Sequence, residues 1–122
     1  MQWPFLDWGT ARREGEMLRL QQRVVDTEEA AFTERLARSV QDELAAVDRL
    51  ARALAVDDTI VSLRERVEFE ARRQLEEGAL TAAEYVSRRN EVTAARVARA
   101  ARGVELARAR AAYLTALGVA LP

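Results

Sequence analysis

Large apolar residues recur along the first part of the chain at Met17, Leu20, Val24, Phe32, Leu36, Val40, Leu44, Val47, Leu50 and Leu54. Steps of three and four place them on one face of an α-helix, with a gap at Glu28, and do not fit the period of two that a strand requires. No glycine or proline interrupts the chain from Glu16 to Glu77, a stretch of about 62 residues that would span roughly 90 Å as one helix. The stripe resumes as Val56, Ile60, Leu63, Val67, Ala71 and Leu75, rotated by about 200° between Leu54 and Val56. Asp57, Asp58 and Thr59 sit beside that jump, and such side chains compete for backbone hydrogen bonds. Two readings follow: one long helix whose neighbours change along its length, or a break at Asp57-Asp58 that turns the chain into a three-helix bundle.

Gly78 follows Leu75-Glu76-Glu77 and is placed to take the left-handed conformation that closes a helix. Thr81-Ala82-Ala83-Glu84 then has the spacing of a capping box that opens the next helix. So short a turn sends the second helix back antiparallel to the first. The second helix is predicted from about Ala82 to Leu117, stopping at Gly118 with Pro122 beyond. Its apolar seam reads Val86, Thr93, Val97, Ala100, Val104, Ala107, Ala111 and Leu114, which is coiled-coil spacing, with alanines that admit a close neighbour. Gly103, costly inside a helix, would suit such a close approach. The predicted fold is all-α: a long helix over about 11–77, a tight turn at Gly78, Ala79, Leu80 and Thr81, and a shorter helix over about 82–117. Residues 1–10 are predicted to be extended. If the second helix covers only the distal half of the first, the stripe from Met17 to Val40 has nothing in this chain to bury against, and an apolar surface of that extent marks a partner.

Composition narrows the chemistry. The 122 residues include no histidine and no cysteine, which removes imidazole bases, thiol nucleophiles, disulfides and the usual zinc ligands. Every basic residue is arginine. Residues 1–78 hold 12 arginines against 17 acids and residues 79–122 hold 7 against 3, so the arms carry opposite net charge and attract when antiparallel. The whole chain has a net charge of -1, which argues against nucleic acid as a partner. The pairs Arg12-Arg13, Arg72-Arg73 and Arg88-Arg89 are interleaved with acids and read as solvated helix faces. Adjacent carboxylates such as Glu28-Glu29, Asp57-Asp58 and Glu76-Glu77 point about 100° apart on a helix and do not make a metal or acid-base site. No catalytic residue, cofactor or metal is predicted, and the chain does not read as an enzyme. The opening residues lack the basic and apolar regions of a signal peptide, and no apolar run is long enough for a transmembrane helix.

Trp3-Pro4-Phe5-Leu6-Asp7-Trp8-Gly9 is followed in order by Asp57-Asp58-Thr59-Ile60-Val61-Ser62-Leu63-Arg64-Glu65, by Leu75-Glu76-Glu77-Gly78-Ala79-Leu80-Thr81-Ala82-Ala83-Glu84-Tyr85, by Arg89-Asn90-Glu91, and by Ala109-Arg110-Ala111-Ala112-Tyr113-Leu114-Thr115-Ala116-Leu117-Gly118. Across nearly the whole chain this resembles the second half-repeat of the TolC-like outer-membrane efflux proteins. The resemblance implies a homotrimer with a β-barrel in the outer membrane and an α-helical barrel in the periplasm, exporting with a periplasmic adaptor and an inner-membrane pump. Residues 1–10 would be the vestige of a barrel strand and turn, with Trp3, Phe5 and Trp8 at the membrane interface, and residues 11–122 a periplasmic helical hairpin. Gly78, Ala79, Leu80 and Thr81 would form the tip that docks the adaptor, with Leu80 exposed at its apex. Glu84 would be an acidic residue of the tunnel entrance, where Ser87 replaces a second acidic position. A full family member is several times longer and has two such repeats, so this chain is expected to be one partial repeat. From the residues alone, the alternative is a free-standing helical interaction or scaffold module, or the compact bundle broken at Asp57-Asp58.

Overall fold

The computed structural model describes residues 4–120, with side chains over 9–119. It contains two helices, α1 (Pro4–Glu76) and α2 (Ala82–Ala120), joined by a short turn. The chain divides into two units, Met1–Ser39 and Val40–Pro122. The second is an antiparallel helical hairpin, as the pattern predicts; the first is a segment of α1.

α1 begins at Pro4, so Pro4 to Thr10, expected to be extended, form its opening turns. Proline is tolerated there because the first helical residues have no intrahelical partner for their N–H. Met1 to Trp3 lie outside the described residues. α1 also continues through Asp57 and Asp58, which excludes the break and the three-helix bundle that depends on it. The residues that compete with a helix are occupied locally or across the hairpin. The Thr59 hydroxyl donates back to the Ala55 carbonyl at 3.2 Å, and both aspartates accept from arginines of α2. α2 likewise passes through Gly118 to Ala120, and Gly118 keeps an ordinary helical φ, the only positive one among the described glycines being at Gly78.

Within the hairpin, the less exposed positions of α1 are Val40, Glu43, Val47, Leu50, Leu54, Asp57, Val61, Glu68, Ala71 and Leu75, along with a few neighbours. Those of α2 include Tyr85, Val92, Ala95, Arg102, Leu106, Ala109, Tyr113 and Ala116. Both series step by three and four, the heptad spacing of a coiled coil. The positions missing from them are arginines: Arg64, Arg88 and Arg99 stay exposed and turn to Glu91, Glu91 and Asp58.

This seam corrects two expectations. The buried face of α1 does not change near residue 55; it runs on through Asp57 and Val61, leaving Val56, Ile60, Leu63 and Val67 exposed. In α2 the seam lies one or two residues before the expected one, and Val86, Val97, Val104 and Leu114 are exposed. Each helix carries two neighbouring apolar stripes, and cross-helix charge selects which one turns inward. Arg96 Nη2 reaches Glu65 at 2.8 Å, Arg64 Nη1 reaches Glu91 at 3.0 Å, Arg102 Nε reaches Asp57 at 3.1 Å, and Arg99 pairs with Asp58. These partners move in opposite directions along the two helices, which fixes an antiparallel register. Rotating either helix by one residue would swing it about 100° and separate them.

The core is thin. Among the described residues only Leu50, Ala71, Val92 and Leu106 are buried apolar side chains, and no large side chain is fully enclosed. Gly103 has open space where a Cβ would stand, so the close approach expected there is not made. In the first unit, Met17, Leu20, Val24 and Phe32 are all more than half exposed. They match the uncovered stripe expected from the sequence as far as Phe32, whereas Leu36 and Val40 at its end are half-buried.

Candidate functional site: the capped tip of the hairpin

The turn is built by local chemistry. Gly78 has φ +76°, the left-handed conformation that glycine adopts without a Cβ penalty. Its N–H donates to the Leu75 carbonyl at 3.0 Å and the Ala79 N–H donates to the Gln74 carbonyl at 2.8 Å. These two bonds are the Schellman closure, which satisfies carbonyls that the end of a helix leaves free. On the other side, the Glu84 N–H donates to Thr81 Oγ1 at 3.2 Å and the Thr81 N–H donates to Glu84 Oε2 at 3.0 Å. That is the reciprocal capping box the spacing predicts.

Leu80 is half-buried, not exposed as expected. It immediately precedes the cap residue Thr81, and Tyr85 stands at the fourth helical position. That is the spacing of the hydrophobic staple. Gly78, Ala79 and Thr81 are exposed, so the outward surface of the tip is largely backbone and small side chains.

Glu84 is held in the cap. The Thr81 backbone N–H, then the Thr81 hydroxyl, and more weakly the charge of Arg88, keep its carboxyl below the ordinary carboxylate pKa. It is charged at neutral pH, as an entrance acid would have to be, but its hydrogen-bonding capacity is directed at the backbone.

One turn along, three residues form a cluster that sequence reasoning missed. Tyr85 Oη donates to Glu68 Oε1 at 2.7 Å, Arg72 Nη2 donates to the same oxygen at 2.8 Å, and Arg72 Nε approaches Tyr85 Oη at 3.4 Å. Glu68 has only 16% of its side-chain surface exposed. The Tyr85 hydroxyl, followed by the Arg72 bond and charge and the charge of Arg89, lowers its pKa. The Arg72 guanidinium is held still more firmly in its charged form, first by Tyr85 and then by Glu68. The available signal was the heptad phase: counting by threes and fours from Leu75 and Ala71 reaches Glu68, and the antiparallel turn brings Tyr85 to the same level.

The tip thus brings together Gly78, Ala79, Leu80, Thr81 and Glu84. Trp3 lies outside the described residues, and no side chain before Gly9 is described, so the interface expected at Trp3, Phe5 and Trp8 is not among the described contacts. Surface depressions such as those beside Glu16 and Leu20 or beside Asp58 and Leu63 are open grooves lined by a single helix. Among the described residues no cluster of acids is arranged to hold a metal ion, and no helix is long and apolar enough to cross a membrane.

Comparison with known proteins yields no relative: no family model matches the chain, and no curated protein or solved structure is similar to it.

Proposed function

We propose that the chain is one helical hairpin from the wall of an efflux channel of the TolC-like kind, with the capped turn as its docking end. The observation that carries this reading is the second, exposed heptad stripe on each helix of the hairpin. A helix with two apolar stripes has neighbours on two sides, which is the requirement for a helix in a wall, whereas a two-helix coiled coil needs only one. The thin core agrees: a hairpin with so little enclosed surface gains stability from further helices. On this reading the parent protein is a homotrimer of the outer membrane, the hairpin stands in the periplasm, and the tip meets a periplasmic adaptor linked to an inner-membrane pump. Substrate passes along the wall, so no residue of the hairpin needs to be a nucleophile or a base.

The test is Leu80→Asp in the channel that contains this hairpin, with Leu80→Met as the control for the staple. The aspartate variant should keep its helicity and its amount in the outer membrane while losing adaptor crosslinking and export; the methionine variant should keep all four. Export unchanged by Leu80→Asp would sink the proposed docking role. A parent protein recovered only from the cytoplasm would favour the free-standing interaction module instead.

A further inference from the structure

The exposed face of the first unit carries its own charge pattern. We infer that residues 12–25 of α1 lie on an anionic lipid surface, with the apolar side chains turned into the headgroup region and the arginines behind them. This concerns the first unit and does not rest on the wall reading, which concerns the hairpin. The two are compatible, because a channel of the outer membrane stands beside such a surface.

The apolar face is broad. Measured from Met17, Leu18, Leu20, Val24 and Val25 fall at about 100°, 300°, 340° and 80° around the helix, an arc about 160° wide. All five side chains are half or more exposed. A coiled-coil seam is narrower than this, whereas a broad arc suits a plane. Arg12, Arg19 and Arg23 fall at about 220°, 200° and 240°, on the side away from the arc. A partner helix packed on the arc would lie beyond their reach. A charged plane acts on every charge within a Debye length of about 10 Å, which is about the diameter of a helix.

Charge also bounds the contact. Residues 9–25 hold Arg12, Arg13, Arg19 and Arg23 against Glu14 and Glu16, a net charge of +2, whereas residues 26–34 hold Asp26, Glu28, Glu29 and Glu34 and no arginine, a net charge of -4. An anionic surface attracts the first stretch and repels the second. Glu14 and Glu28 fall at about 60° and 20°, within the arc, and close it at its two ends. Phe32 is exposed too but belongs to the repelled stretch. Trp3 and Trp8, the two tryptophans of the chain, precede the arc in the sequence, and tryptophan concentrates at membrane interfaces. Among the described residues no helix is long and apolar enough to cross a membrane, so the contact is with the surface.

The full-length chain is mixed with vesicles of phosphatidylglycerol and phosphatidylcholine, or of phosphatidylcholine alone. Binding is read by flotation and by the emission of the two tryptophans, and helicity by circular dichroism. A surface potential of about -30 mV favours each positive charge roughly threefold, so the net +2 gives on the order of tenfold tighter binding to the anionic vesicles, with a blue shift in emission. Arg19→Gln with Arg23→Gln should remove that preference. Leu20→Gln with Val24→Gln should weaken binding to either vesicle by roughly tenfold or more, glutamine being chosen because it keeps the helix. Phe32→Gln should bind like the original chain. No flotation with anionic vesicles, equal binding to both compositions, or undiminished binding by the Leu20 and Val24 variant would overturn the inference. So would multimers in light scattering that the same two changes dissociate while the vesicles stay bare, since the arc would then be covered by a second copy. The Leu80 test of the wall reading is independent of each of these results.

Discussion

Replacing Gly78 by alanine and replacing Gly103 by alanine should move the stability of the hairpin in opposite directions, although the chemical change is the same. Neither new methyl group would touch a neighbour: both positions have open space where the Cβ would stand. Packing therefore drops out and backbone conformation decides the sign. At Gly78, with φ +76°, an alanine carries the left-handed penalty of about 1–2 kcal/mol. The lower entropy of the unfolded alanine chain returns about 0.4–1 kcal/mol, so the net loss is about 1 kcal/mol. At Gly103, inside α2 with ordinary helical φ, alanine gains roughly 0.5–1 kcal/mol. For a unit of this size, 1 kcal/mol corresponds to about 4–8 °C in Tm. Thermal and urea unfolding followed by far-ultraviolet circular dichroism would give Gly78→Ala a lower midpoint, Gly103→Ala a higher one, and the double variant a midpoint near the original, since distant sites add. A Gly78→Ala chain as stable as the original would refute the Schellman closure. A destabilised Gly103→Ala chain would show that a neighbour does approach α2 there.

Tyr85→Phe removes the main cause of the lowered Glu68 pKa, so carboxyl titration by NMR should show that pKa rising toward the ordinary carboxylate value. The contribution of Glu68 is fully present above its unfolded pKa and lost as pH falls through its lower folded pKa, so the variant should begin acid unfolding at a higher pH. At Asp57 and Arg102, each single change to leucine should destabilise the hairpin by stranding the other charge, whereas the double change should recover stability or exceed the original, because apolar side chains pack in a heptad seam without desolvating ions; a double-mutant cycle with no coupling would contradict the pairing. Hydrogen exchange should show weak protection over residues 15–36, where almost every side chain is exposed, and the strongest protection around Leu50, Val92 and Leu106; equal protection throughout would mean that the first unit is covered.

The helices and the turn are legible in the residues because their causes are local. An unbroken run of helix formers, a glycine free to take positive φ, and a threonine three residues before a glutamate act within one or two turns. Of the candidate tip, Thr81 and Glu84 form the cap that their spacing predicts, for the same reason. Leu80 departs from its expected exposure, since how far a turn residue is covered depends on the path of the chain into α2. Pro4 belongs to a helix and not to an extended segment, because a proline that opens a helix and one that precedes it have the same sequence signal.

Periodicity alone could not choose the seam. Both helices carry two apolar stripes of the same period about 100° apart, and either one could turn inward. Interactions between residues 27 to 45 positions apart settle it, where arginines of α2 find aspartates and glutamates of α1, together with the Arg64 and Glu91 pair of reversed polarity. A local pattern holds no information about such pairs until the turn brings the arms together. The sequence by itself determined two helices, a capped turn and an excess of apolar surface; the tertiary structure decided which part of that surface the hairpin keeps for itself and which part it leaves exposed.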